Sequence, residues 1–244
     1  MAVIAVYSVK GGVGKTTIAA NLAWCSAVDA GRSTLLWDLD PAGGAAFLYG
    51  VEPERKAAGL FKGKSDPAEL TLPSGFWGLD LLPADESLRD LDRSLLALGK
   101  KKRIAKLAEG LSDRYRRIIL DCPPVLNETS AQVMRAADMV IVPLPPSPLS
   151  RRALHLIQKD LAANHKRHPP ILPVLSMHDA RRALHRQLRE EMPDWPTIPM
   201  ASAIEQGALR QAPVGSFAPR SPGAQAFAGL WNAIEQKLEQ LGKA

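Results

Sequence analysis

Six stretches of the chain, residues 3–8, 33–38, 79–82, 117–121, 138–143 and 171–175, are apolar almost throughout instead of alternating with polar positions. A strand with one wet face alternates, so unbroken apolar runs predict strands covered on both faces. Segments of helical character lie between most of these runs, and such crossovers make a sheet parallel. The predicted fold class is therefore α/β: three layers, with a mostly parallel twisted sheet and helices on both faces, in a single domain spanning residues 1–244. Residues 18–24 read as a helix directly after a glycine-rich loop. A final helix is predicted over 225–241, where Phe227, Leu230, Trp231, Ile234, Leu238 and Leu241 share one stripe. A third helix is expected to open at Lys100-Lys101-Lys102-Arg103 and to turn Ile104, Leu107, Ala108 and Leu111 inward. Residues 52–78 contain Pro53, Gly59, Gly63, Pro67, Pro73, Gly75 and Gly78, which predicts an irregular surface excursion with one short helix.

Composition narrows the class. Of 244 residues, 46% are hydrophobic and 23% charged, enough for a folded core and too few charges for a disordered tail. No apolar stretch reaches the roughly 18 residues of a membrane-spanning helix. The N-terminus enters a strand with no basic segment before it, so no secretory leader is expected and the location predicted is cytoplasmic. Cys25 and Cys122 sit in separate apolar runs, which fits buried reduced thiols. None of His155, His165, His168, His178 and His185 forms a metal-binding spacing with cysteine, so surface or pocket-edge polarity is their expected role. The net charge of +6 is concentrated: residues 100–117 carry eight Lys/Arg against two acids, and residues 150–220 eleven against six. Such clustering suits a polyanionic partner or two solvated helix faces.

The segment Lys10-Gly11-Gly12-Val13-Gly14-Lys15-Thr16-Thr17 joins the first strand to the first helix. Glycines at this spacing let consecutive backbone N–H groups turn inward around phosphate oxygens, and the helix adds its positive end. Gly11, Gly12, Val13 and Gly14 would form the cradle. Lys15 would neutralise the β and γ phosphates, the Thr16 hydroxyl would ligate Mg²⁺, and Thr17 would be available to the α phosphate. Three acids follow buried strands and so lie at the carboxyl edge of the sheet, where open α/β folds bind ligands. Asp121 closes an apolar strand and suits Mg²⁺, with Asp38 as a further metal candidate. Alternation places Asp38 and Asp40 on one face, so either could reach the γ-phosphate side.

The extra lysine at position 10 resembles the deviant Walker A motif of the ParA/MinD ATPases. The resemblance implies an ATP-sandwich dimer in which Lys10 reaches the partner's phosphates. Leu36-Trp37-Asp38-Leu39-Asp40-Pro41 resembles the family's Asp-x-Asp-Pro element, whose second acid, here Asp40, is implicated in hydrolysis, and Asp121-Cys122-Pro123-Pro124 resembles its Walker B. Ser176-Met177-His178-Asp179-Ala180-Arg181 is similar to the Thr-Met-Tyr-Asp-Ala-Arg stretch of ParA/Soj proteins. Phe217-Ala218-Pro219-Arg220-Ser221-Pro222-Gly223-Ala224 is similar to their Tyr-Asp-Pro-Arg-Ser-x-Gly-Ala. These later matches favour the ParA/Soj branch. Position 42 is alanine where the family has glutamine, and Met200 and Ala203 stand where it has arginines. Pro199 is implied to pack on adenine. Arg181 matches a DNA-contact arginine, and Arg182, Arg186 and Arg189 follow at helical spacing that extends the strip along a phosphate backbone.

The function this implies is a ParA-like ATPase, using ATP and Mg²⁺, that dimerises with ATP and binds double-stranded DNA non-specifically. It would position a plasmid, chromosome or protein cluster and sit at the nucleoid. A ParB-like or cargo adaptor protein would stimulate an otherwise slow hydrolysis. Slow turnover follows from chemistry too, because an ionised Asp40 is a poor base and can do little more than orient water. One rival is a MinD-like membrane-surface protein using the 225–241 stripe, but only Lys237 and Lys243 would anchor it against Glu235 and Glu239. A metabolic P-loop enzyme is the other, with no acceptor-site cluster visible in the sequence.

Overall fold

The computed structural model describes residues 1–99, 101–164 and 168–243, so Lys100 and His165 lie outside the described residues. The chain begins with β1 (Ala2–Val6), the glycine-rich loop and α1 (Lys15–Trp24), which runs on into a π-helical turn at Cys25–Asp29. Next come β2 (Thr34–Asp38) and α2 (Gly44–Leu48). The expected excursion at 52–78 is more ordered than its glycines and prolines suggest. It holds α3 (Ala58–Phe61), α4 (Pro67–Leu70) and β3 (Leu72–Pro73), the last antiparallel to β4 (Leu79–Leu82). Leu60, Phe61 and Leu70 are buried, and the Phe61 ring stacks on Trp37 of β2. Three large apolar side chains thus offset the turn-forming composition by docking on the sheet.

A 3₁₀ turn at Glu86–Asp90 leads to α5 (Leu91–Leu98), α6 (Arg103–Glu109), β5 (Arg117–Asp121), α7 (Glu128–Ala136) and β6 (Met139–Leu144). Helix α6 starts at Arg103, and Lys101 and Lys102 precede it in a turn. The Arg103 guanidinium donates to the Leu60 and Phe61 carbonyls, so this charge ties α6 to α3 instead of facing a partner. Last come α8 (Pro148–Asn164), β7 (Ile171–His178), α9 (Ala183–Glu191), β8 (Thr197–Pro199), α10 (Ser202–Arg210), α11 (Val214–Phe217) and α12 (Pro222–Gln240).

The strand order is β3-β4-β2-β5-β1-β6-β7-β8, parallel everywhere except at β3. Every residue of β1, β2, β5 and β6 is buried, as strands covered on both faces require. One apolar layer joins the sheet to α3, α5, α6, α7 and α8, and the other joins it to α1 and α12. Phe227, Leu230, Trp231, Ile234 and Leu238 of the α12 stripe are core residues, leaving only Leu241 exposed. The stripe is spent on packing, and among the described residues no helix is long and apolar enough to cross a membrane. Ser221 caps α12 by accepting from the Ala224 N–H, with Pro222 in the first turn.

Arg117 is the largest buried charge. It opens β5 at 1% exposure and makes a bidentate pair with Glu235 of α12 at 2.8 and 3.0 Å, while its third nitrogen reaches the Arg116 carbonyl. A fully satisfied fork of this kind clamps the last helix to the central sheet. Arg117 is therefore lost from the basic surface that the run 100–117 suggested.

Candidate functional site

The central strand β1 has β5 on one side and β6 on the other, and β2 lies beyond β5. The chain leaves in opposite directions from this point, and the crevice at the carboxyl ends of the strands is where such sheets bind ligands. The glycine-rich loop opens into that crevice. Gly12 (φ 68°) and Gly14 (φ 87°) are left-handed, a backbone that side chains rarely adopt, and a Cβ built on Gly11 or Gly12 would meet nothing within 4 Å. Gly14 is the cap residue of α1 and supplies no side-chain acceptor, so the first-turn N–H groups face the loop's interior.

Lys15 is 7% exposed, and its ammonium donates to the Lys10 carbonyl at 3.3 Å, across the loop. Burial lowers its pKa, and the neighbouring Asp121 and Asp40 carboxylates resist that shift. Lys10 is half-buried, and its ammonium makes no hydrogen bond or ion pair with the described residues.

The acids meet in register. Asp38 ends β2 directly beside Asp121 at the end of β5, and Val6 of β1 flanks Asp121 on its other side. Asp38 accepts from the Asp40 N–H at 2.9 Å through one oxygen and from the Ala45 N–H at 3.0 Å through the other. It thereby holds the turn that carries Asp40, whose own carboxylate accepts from the Ala42 N–H at 3.1 Å. Ala42 retains this backbone contact although its side chain offers nothing to a γ-phosphate. Both Asp121 oxygens are buried without a hydrogen-bond partner, next to the Thr16 hydroxyl and the Lys15 ammonium. Burial pushes the Asp121 carboxyl up to about 7, and it pushes Asp38 up as well, with the two charges opposing one another.

Two orphaned carboxylate oxygens beside a hydroxyl form a hard oxygen donor set that fits Mg²⁺. Among the described residues, no three His, Cys, Asp or Glu side chains cluster as a closed metal site. Gly44, at the start of α2, lies so close to Thr16 that an added Cβ would stand 3.1 Å from the Thr16 methyl, so glycine here leaves room for the Thr16 side chain.

Beside the loop lies a mostly apolar pocket of about 200 Å³. Thr17, Met177, Ile198, Pro199, Met200 and Ile204 contribute to its walls. Pro199, picked out by sequence, is here at the end of β8. Ser176 and Met177 belong to the wall as well, and sequence reasoning gave them no site role. Their signal is a backbone irregularity, Met177 at φ 55°, that the one-dimensional pattern does not carry.

Of the candidate DNA arginines, Arg182 is exposed at the cap of α9, and the others are engaged by their own chain. Arg181 pairs bidentately with Asp179 at 2.9 Å. Arg186 donates to the Ala180 and Arg181 carbonyls, and Arg189 to those of Met192 and Pro193. These guanidinia stiffen the 179–193 segment while Arg181 and Arg186 stay exposed. His185 departs from the surface or pocket-edge role expected of it. It is buried, and its Nδ1 accepts from the Asp179 N–H at 2.9 Å.

A strand, a glycine-rich loop, a buried lysine and carboxylates at the sheet edge define a P-loop nucleotide hydrolase. Comparison with known proteins refines this. The family described as AAA domain matches residues 1–172. The Soj protein of Thermus thermophilus, a chromosome-partitioning ATPase, is 30% identical over 97% of this chain and 96% of its own. The sporulation initiation inhibitor Soj of Bacillus subtilis is 28% identical over 93% and 96%. Among solved structures, cobyrinic acid a,c-diamide synthase of Mycobacterium smegmatis, with an ATP analogue and magnesium bound, superposes with a TM-score of 0.82 at 25% identity, covering 97% of this chain and 94% of the other. The ATP complex of Cyanothece McdA gives 0.81 at 21% identity over 96% of each. The chain belongs to the ParA/Soj/MinD family of P-loop ATPases.

Proposed function

We propose that this ATPase is a DNA-based positioning switch of the ParA/Soj kind. With ATP it dimerises and holds double-stranded DNA without sequence preference; hydrolysis, stimulated by an adaptor protein on the cargo, releases it. The observation that supports this most is the pair of lysines on one loop. Lys15 sits at the phosphate seat of its own chain, whereas the Lys10 ammonium has no partner among the described residues and is left for a second subunit. Near-full-length similarity to the chromosome-partitioning ATPase Soj of Thermus thermophilus supports the DNA side of the reading.

In this reading the loop N–H groups and Lys15 offset charge on the β and γ phosphates before and during transfer. Thr16 and Asp121 would hold Mg²⁺, which supplies Lewis-acid neutralisation of phosphate oxygens when bound. Asp38 fixes the 38–45 turn, and Asp40 on that turn orients the attacking water. Lys10 of the second subunit adds positive charge from across the interface, so hydrolysis is tied to assembly. Two copies also double the arginine strip, and phosphate contacts add up along DNA.

Asp40→Ala is the test of the division of labour. Phosphate release is expected to fall about 100-fold while ATP affinity stays within about threefold, because the residue acts on water and not on ground-state binding. Unchanged turnover in this variant would assign the hydrolytic role elsewhere and overturn the mechanism.

A further inference from the structure

The basic run that begins before α6 is half of a surface built by two segments distant in sequence. The Arg103 guanidinium, bonded to the Leu60 and Phe61 carbonyls, stands 3.6 Å from a Cβ built on Gly63, which sets the turn after α3 against the start of α6. Lys62 and Lys64 of that turn thus join Lys101, Lys102 and Lys106, the last of them about one helical turn beyond Arg103. All five are exposed, and their ammonium groups make no hydrogen bond or ion pair among the described residues. Segments 62–66 and 101–109 carry six Lys/Arg against two acids, Asp66 and Glu109. Asp66 is committed to capping α4, where it accepts from the Ala68 N–H at 2.8 Å. Like charges crowded with few counter-charges repel one another, so the patch is left to be neutralised from outside.

Its surroundings indicate what neutralises it. The Phe61 ring stacks on Trp37 of β2, and β5, β1 and β6 separate β2 from β7, which leads to the arginines of α9. At the usual strand spacing about 19 Å lies between the two basic surfaces, so the lysines are a separate site from the strip proposed for DNA. Lys101 also stands at a groove of about 400 Å³ that follows α7 from Leu126 to Arg135, a length of about 13 Å. The groove's own charges balance, Lys101 and Arg135 against Glu128 and Asp160, with Arg135 paired to Glu128 at 3.2 Å. Leu126 in its wall is 52% exposed, and Leu98, three residues before Lys101, is exposed as well. A duplex offers phosphates and no apolar group for these leucines, and a bilayer surface does not enter a groove; a polypeptide segment meets both. We propose that this surface docks an acidic polypeptide segment of a partner protein, its carboxylates on the five lysines and an apolar side chain in the groove against Leu126. Val125, next to Leu126, accepts from the Tyr7 hydroxyl at 2.7 Å, so the occupant rests on the loop that leaves Asp121 and is fastened to the residue following β1. This adds a second partner surface to the molecule and stands independently of the DNA reading.

The test is fluorescence anisotropy with a labelled synthetic peptide of interspersed glutamates and leucines, beside two controls in which the glutamates become glutamines or the leucines become serines. A random-sequence duplex in ATP and vesicles of phosphatidylcholine with phosphatidylserine are measured alongside. One variant carries Lys62→Gln with Lys64→Gln, a second Lys101→Gln with Lys102→Gln and Lys106→Gln, a third all five, and Leu126→Ser probes the groove. These positions are exposed, so each variant should melt within a few degrees of wild type. Wild type is expected to bind the acidic peptide at least about tenfold more tightly than the glutamine control. The fivefold variant should abolish that difference, each partial set removing a share of it, and Leu126→Ser should weaken binding about fivefold and erase the preference for leucine over serine. Duplex affinity in ATP should stay within about twofold throughout. Equal binding of the acidic and glutamine peptides by wild type, or an acidic-peptide affinity unchanged in the fivefold variant, would overturn the proposal. So would a duplex or vesicle affinity that falls in that variant as far as the peptide affinity does, which would assign the lysines to that polyanion.

Discussion

Asp121→Asn is expected to yield a protein that melts at a higher temperature and releases phosphate from ATP at least about 100-fold more slowly. Both effects have one origin, a buried carboxylate whose two oxygens have no hydrogen-bond partner. Its pKa is raised to about 7, first by desolvation and then by the Asp40 charge, with Thr16 and Lys15 pulling it back. A folded-state pKa above the unfolded one means that the folded chain binds this proton more tightly. Stability then falls as pH rises from about 4 to about 7 and stays reduced above that. A neutral amide of the same shape removes the penalty. At pH 8 without metal the gain should be on the order of 1–3 kcal/mol, a few degrees in Tm, and near pH 4.5 it should shrink. Thermal unfolding in a chelator at the two pH values checks the sign. A destabilised Asp121→Asn at pH 8 would mean that the carboxylate is favourably paired in the folded chain. The loss of turnover follows because the amide cannot supply the charge that Mg²⁺ requires.

Lys10→Ala is the second large effect. The Lys10 ammonium has no partner among the described residues, so its removal should leave folding unchanged and ATP affinity of the single subunit within about threefold. Assembly should suffer instead. A charge that bridges to phosphate across a dry interface typically accounts for 2–5 kcal/mol, so the ATP-dependent dimer is expected to weaken by about 100-fold. Light scattering across a concentration series in ATP and in ADP gives the constant. Lys15→Ala separates the two lysines, since it removes the phosphate partner and with it ATP binding itself. A Lys10→Ala protein that dimerised like wild type would show that the loop's first lysine serves only its own subunit.

What was legible in the sequence follows from where the physics is local. The glycine-rich loop announces itself because phosphate binding needs left-handed glycines, a lysine and a helix start within eight consecutive residues. The strands were legible because burial on both faces leaves uninterrupted apolar runs, and Leu79–Leu82 and Arg117–Asp121 fall where those runs predict. The short strand at Thr197–Pro199 was missed, since three residues that follow one proline and end in another carry no periodicity. Arg117 read as surface charge because its partner, Glu235, is 118 positions away. Arg103 is a similar case, its two carbonyl partners lying in a segment whose composition suggested loop. The irregularity at Ser176–Met177, where Leu175 of β7 pairs with Thr197 of β8 and the next pair is His178 with Pro199, was invisible for a different reason, being a matter of register between two strands and not of residue type. The arginines at 181, 186 and 189 were found by spacing, but spacing does not say that each bonds its own backbone or a neighbouring acid.

The central claim is that nucleotide state controls DNA binding through dimerisation. Its most direct test is binding of the full chain to a random-sequence duplex with ATP, with ADP and with neither, at two salt concentrations. Binding is expected with ATP alone, falling steeply between the lower and higher salt as counterions compete for the phosphates. Equal binding in all three nucleotide states, or none in any, would contradict the account.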